Sequence, residues 1–147
     1  MQSAVRNGYD ASLALRAPGS AALTADATTD KVALDKITKS PRGAIDGAFG
    51  EFEFDLVLYL EAGFAAGADN TYTLNFNSYD ADGANPVTHL SKTFVAADVG
   101  KLPKTFKFDL RTLGVENPNA AQFGIGVDVA GTTPSASFWA FIAPDAD

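Results

Sequence analysis

The chain contains no cysteine, and only one histidine, one tryptophan and one methionine in 147 residues. The first absence removes disulfides, thiolate metal sites and a cysteine nucleophile together. It also argues against a small secreted domain held by cross-links. Basic residues are in the minority, eleven against eighteen acidic ones, for a net charge of -7. Such a chain lacks the basic patch with which nucleic-acid binders meet phosphates. No stretch approaches the roughly 20 apolar residues of a membrane-spanning helix. The N-terminal run MQSAVRNGYDASLALRAPGSAAL is interrupted by Asp10 and Arg16 and has no apolar core of signal-peptide length. A soluble chain made in the cytoplasm is therefore expected. A G-x-S-x-G elbow and a phosphate-binding loop are also missing.

What the sequence does have is alternation. In GEFEFDLVLYLEA, Gly50 to Ala62, the residues Phe52, Phe54, Leu56, Leu58 and Leu60 fall on every second position. That rhythm places one face of a strand in a core and leaves the other mostly wet. A helix, with its period of about 3.6, would scatter them round its axis. TYTLNFNSY, Thr71 to Tyr79, alternates in the same way, and the two segments read as antiparallel neighbours joined by a medium loop. KTFKFDLR, Lys104 to Arg111, puts Phe106, Phe108 and Leu110 on one side. In QFGIGVDV, Gln122 to Val129, the face opposite Phe123, Ile125, Val127 and Val129 carries Gly124 and Gly126, which implies close approach of another backbone or a large ring. Thr88 to Val95, Ala22 to Thr24 and Lys31 to Ile37 are weaker strand candidates, and AADVGKLP reads as one helical turn. With about seven or eight strands, turn signals between them and no helix of useful length, the expected class is all-β: an antiparallel two-sheet sandwich with jelly-roll or immunoglobulin-like wiring. One domain over residues 21–147 follows an N-terminal arm, residues 1–20, punctuated by Gly8, Pro18 and Gly19.

Candidate chemistry is sparse. His89 has no cysteine to join it and reads as a strand-surface residue. Asp80, Asp82 and Gly83 begin a calcium-loop pattern, but Ala84 and Ser91 stand where its later ligands belong, so a turn capped by aspartate is expected instead. Glu51, Glu53 and Asp55 share a strand face, and their spacing of about 7 Å suits neither glycosidase geometry. They read as a solvated acidic face. No metal, cofactor or catalytic residue is assigned, and the chain is expected not to be an enzyme. Trp139, Phe141, Tyr59 and Tyr79 could form an aromatic platform for sugars, though packing or a subunit interface is the plainer expectation. SFWAFI, Ser137 to Ile142, is apolar on both faces, so a second layer or a second subunit must cover one side. In the arm, Tyr9, Leu13 and Leu15 would be the contacts if it orders against a neighbour. The candidate interface is thus Tyr9, Leu13, Leu15, Trp139 and Phe141.

Several segments together resemble a known family: DATTDKVALD, FDLVLYLEAGF, TYTLNFNSYDADG, THLSKTFVAADVGKLPKTFKFDL and the closing GIGVDVAGTTPSASFWAFIAPD. From Ala21 to Asp147 their layout is similar to the decoration, or cement, proteins of tailed-phage capsids, in the jelly-roll group found on some short-tailed phages. The resemblance implies a non-enzymatic virion protein, made in the host cytoplasm, on the outer surface of the capsid. Its partners would be the major capsid protein and itself, as a homotrimer in preference to a homodimer, with no nucleic acid and no membrane. No catalytic residue and no contact residue carries over from the family. A carbohydrate-binding or adhesin module on the same sandwich is the alternative, and a small hydrolase a third reading.

Overall fold

The computed structural model describes residues 13–35, 53–60, 69–98 and 104–144. Among the described residues, nine strands form two antiparallel sheets: β1 Ala14–Arg16, β2 Ala27–Thr28, β3 Val32–Ala33, β4 Glu53–Leu60, β5 Thr71–Tyr79, β6 Val87–Phe94, β7 Lys104–Asp109, β8 Gln122–Ala130 and β9 Phe138–Pro144. One sheet has the order β1-β9-β4-β7; the other has β2-β8-β5-β6, with β3 also on β8. β2 and β3 pair with opposite ends of β8, at Val127 and at Phe123, so they act as one interrupted edge strand.

Counted that way, the wiring is a set of nested antiparallel pairs. β5 pairs with β6, β4 with β7, β2 and β3 with β8, and β1 with β9. The chain is a single long hairpin with its apex between β5 and β6. The nested pairs fall alternately in one sheet and the other, and further pairing of β5 with β8 and β4 with β9 closes each sheet. This is the jelly-roll arrangement.

Alternation decides which side of each strand is inside. Phe54, Leu56 and Leu58 of β4 face Tyr72, Leu74 and Phe76 of β5 across the core, together with Phe123, Ile125 and Val127 of β8 and Phe138, Ala140 and Ile142 of β9. The expectation that β4 and β5 are hydrogen-bonded neighbours is corrected here: they lie in different sheets. Both have one apolar face, and two such faces are buried equally well side by side or face to face, so alternation alone does not separate the cases.

An α-helix, α1 at Leu110–Glu116, interrupts the pattern. The apolar rhythm of β7 runs on through Leu110, but the Asp109 carboxylate accepts a hydrogen bond from the Arg111 N–H and caps a helical turn. Leu110 and Leu113 then fall on one helical face, and Leu113 is buried. A 3-10 turn at Ala96–Asp98 stands where one helical turn was expected.

The lead-in is also part of the sandwich over its described residues. Leu13 and Leu15 lie in this chain's own core rather than facing outward to a neighbour, and β1 is an edge strand of the first sheet. Arg16 fixes it, donating from Nη1 to the Phe138 carbonyl at 2.6 Å and from Nη2 to the Ala21 carbonyl, with its guanidinium 4.9 Å from the centre of the Phe138 ring. Tyr9 lies outside the described residues.

Phe54 is fully enclosed, 5.6 Å from the Phe108 ring and 5.3 Å from the Phe123 ring, and so joins the two sheets. Phe54→Ala is expected to cost about 3–5 kcal/mol in urea unfolding. Val115→Ala, at a residue 76 % exposed, should stay within about 0.5 kcal/mol.

Candidate functional site

The two outer faces of the sandwich differ in chemistry. On the five-stranded sheet, polar side chains form a cross-strand ladder. Thr73 and Thr93 share a hydrogen bond of 3.0 Å. Ser91 donates to Asn75, which donates to Asp128. Thr88 donates to Asn77, whose amide donates to the Tyr79 hydroxyl. Gly124 and Gly126 of β8 lie under this layer. A Cβ on Gly124 would stand 3.3 Å from both the Asp30 carbonyl and the Tyr79 ring, and one on Gly126 3.1 Å from the Asn77 amide. The glycines therefore make room for a neighbouring backbone and a large ring.

The outer face of the four-stranded sheet is apolar instead. Ala14 of β1, Val57 and Tyr59 of β4, and Trp139, Phe141 and Ala143 of β9 form a second cluster. Tyr59 and Trp139 are directly opposite each other in register, and their rings stack at 4.2 Å with planes 4° apart. Phe141 continues the group, 5.6 Å from Trp139 and 6.4 Å from Tyr59. The two rings stack across adjacent strands, so each covers one face of the other. Val57, Phe141 and Ala143 are buried within the chain, whereas Tyr59 and Trp139 are half-buried. Three of the four aromatics that the sequence suggested for a platform thus come together. The fourth, Tyr79, belongs to the opposite sheet, with the Lys31 ammonium 4.8 Å from its ring centre. Beside the cluster, Asp55 accepts a bond of 2.9 Å from Lys107 directly across the sheet, so this member of the expected acidic face is paired. Glu51 and the Glu53 side chain lie outside the described residues.

His89 is not a surface residue. Phe76 pairs with Leu90 while the next residue, Asn77, pairs with Thr88, so His89 is the extra residue of a β-bulge. Its ring is 3 % exposed; the openness of the residue lies in its main chain, on an edge strand. Nδ1 lies 2.5 Å from Glu116 Oε1 and Nε2 2.7 Å from Ser78 Oγ. A hydroxyl, an imidazole and a carboxylate in line have the spacing of a nucleophilic triad. Ser78, however, is 0 % exposed, and the Asn117 amide donates to its oxygen at 2.8 Å. The hydroxyl has no open side from which a carbonyl carbon could approach. What the group does is tether the end of α1 to β5 and β6. Nothing in the sequence signals it, because the residues are far apart and the bulge alone turns His89 inward.

The loop joining β5 to β6 is closed by Asp80. One of its carboxylate oxygens accepts from the N–H groups of Asp82 and Ala84, the other from the Asn85 amide. The Ala84 N–H, then the Asn85 side chain, hold the carboxyl below the usual carboxylate range, with the Asp82 N–H adding to this and desolvation opposing it. Gly83 and Asn85 take positive φ in this turn. Both Asp80 oxygens are thus engaged by the loop itself. Among the described residues, no three His, Asp or Glu side chains are grouped to hold a metal.

Compared with protein-family models, curated proteins and solved structures, the chain gives no match.

Ser78→Ala leaves the buried Asn117 amide and His89 Nε2 without their shared partner, and should lower urea stability by about 1–3 kcal/mol. Glu116→Ala, at a side chain 47 % exposed, should cost less than about 1 kcal/mol. Because the folded-state pKa of Asp80 is depressed, its contribution is present above the unfolded value of about 3.9 and is lost as pH falls through the folded value. The melting temperature of Asp80→Ala should therefore lie below that of the parent at neutral pH. The gap should narrow in melts recorded below pH of about 4.

Proposed function

We propose that this chain is a capsid decoration protein: a non-enzymatic β-sandwich that binds the outer surface of a phage shell and cements contacts between major capsid subunits. It acts as a homo-oligomer, trimeric in preference to dimeric. The observation that carries the reading is the strand plan. A jelly roll ends on an apolar strand, β9, which follows a Gly/Thr turn and bears an aromatic cluster on its outward side. This is the layout for which the sequence resembles that family. The unequal faces add support, since one outer surface is spent on internal polar bonds and the other carries an apolar cluster in which Tyr59 and Trp139 are half-buried. A protein that binds only the assembled shell stabilises it by mass action, because disassembly must also release the bound protein.

A carbohydrate-binding module remains the rival, favoured by Tyr59 and Trp139 lying together half-exposed. Flat sugar faces stack on an open ring face. In this pair each ring covers one face of the other, which suits an apolar protein contact better.

The test is the chain's place and copy number in purified virus particles, with sedimentation of the purified protein on shells that lack it. High-copy binding and a raised melting temperature of the decorated shell are expected, and Trp139→Ala should weaken both. A strict monomer by light scattering that never sediments with shells would overturn the reading. Glycan binding lost in Trp139→Ala would favour the rival.

A further inference from the structure

The register of the two outermost strands places lysine where the alternation calls for an apolar residue. Lys92 of β6 is opposite Leu74, and Lys104 of β7 is opposite Leu58. Both leucines are fully buried in the core, and directly paired residues project from the same side of a sheet. The two ammonium-bearing chains therefore project from the inner sides of β6 and β7. Each of these strands is the last in its sheet among the described residues. Between them lies an open groove of about 380 Å³, lined by Lys92, Thr93, Phe94, Lys104, Thr105 and Phe106. Phe94 is buried and Phe106 packs against the core, so the groove has an aromatic floor. The Lys104 ammonium lies 6.0 Å from the centre of the Phe94 ring.

Neither ammonium has a carboxylate partner among the described residues, and none lines the groove. In a chain with eighteen acidic residues and a net charge of -7, two convergent unpaired lysines are a local reversal of sign. Beside them β6 presents an edge whose main-chain groups have no strand partner among the described residues. Such an edge accepts an added strand, and alternate side chains of that strand would then project over the groove.

We propose that this groove binds an extended acidic polypeptide segment, which pairs by main-chain hydrogen bonds with the edge of β6 and sets carboxylates at alternate positions against Lys92 and Lys104. The inference is independent of the capsid reading. Its rival is that the inward lysines only protect a bare edge from pairing with other copies.

The experiment is fluorescence anisotropy with a dye-labelled octapeptide of alternating glutamate and threonine, against the full chain. Binding that weakens with salt is expected, with no binding of the matching lysine–threonine peptide. Lys92→Glu combined with Lys104→Glu should weaken binding by about tenfold or more. The neutral pair Lys92→Met and Lys104→Met should weaken it in the same direction, and circular dichroism checks that each variant is folded. The glutamate peptide methylated at its backbone nitrogens should bind less well. Four results would each overturn the proposal: no binding at millimolar peptide, equal affinity in the folded variants, equal competition by free succinate, or self-association of the methionine variant with peptide affinity unchanged.

Discussion

Rings from both sheets meet at the middle of the sandwich, and the rest of the structure depends on that meeting. Phe54 and Phe108 come from one sheet and Phe76 and Phe123 from the other. Phe108 lies 5.1 Å from Phe123 and 5.8 Å from Phe76. Phe106 adds a contact of 5.0 Å with Phe76. Tilted and edge-on ring pairs at such distances gain about 0.5–1.5 kcal/mol each beyond the area they bury. The cluster sets the spacing of the two sheets, so the outer faces, the α1 tether and the groove between β6 and β7 are all positioned by it.

The inner face of the sandwich was legible residue by residue. Phe54, Leu56, Leu58, Tyr72, Leu74 and Phe76 alternate without a break, and a period of two has one structural meaning over such a length. Partner choice was less legible. β4 and β5 satisfy the same pattern whether they pair or oppose, and only the nesting of the whole chain separates the two. Short elements were hardest to read. β1 carries only Leu15 between Ala14 and Arg16, too little for a pattern, and α1 is hidden because Leu110 continues the strand rhythm into the first helical turn. The aromatic cluster could be anticipated, since Tyr59, Trp139 and Phe141 fall on strand faces left over after the core is filled. His89 could not, because a bulge reverses the side on which a residue emerges and leaves no trace in composition. Lys92 and Lys104 occupy core-side positions of their strands, which only the register against Leu74 and Leu58 reveals.

Each outer surface thus answers to a different demand. Over the five-stranded sheet, hydroxyl and amide groups are used up on one another, which fixes register and leaves little to offer outside. Over the four-stranded sheet, apolar residues form a second cluster, in which Val57, Phe141 and Ala143 are buried and Tyr59 and Trp139 half-buried. The net charge of -7 opposes non-specific association of such a surface.

The nested wiring also orders events in time. Arg16 and Phe138, bonded in the outermost pair, are 122 residues apart, whereas β5 and β6 are separated by one short turn. Closing the distant pair first would cost the full loop entropy, but once the apex has formed each later pair closes a much shorter loop. Loop entropy alone therefore favours closing the pair at the Asp80 turn first and the strand that holds Leu15 last.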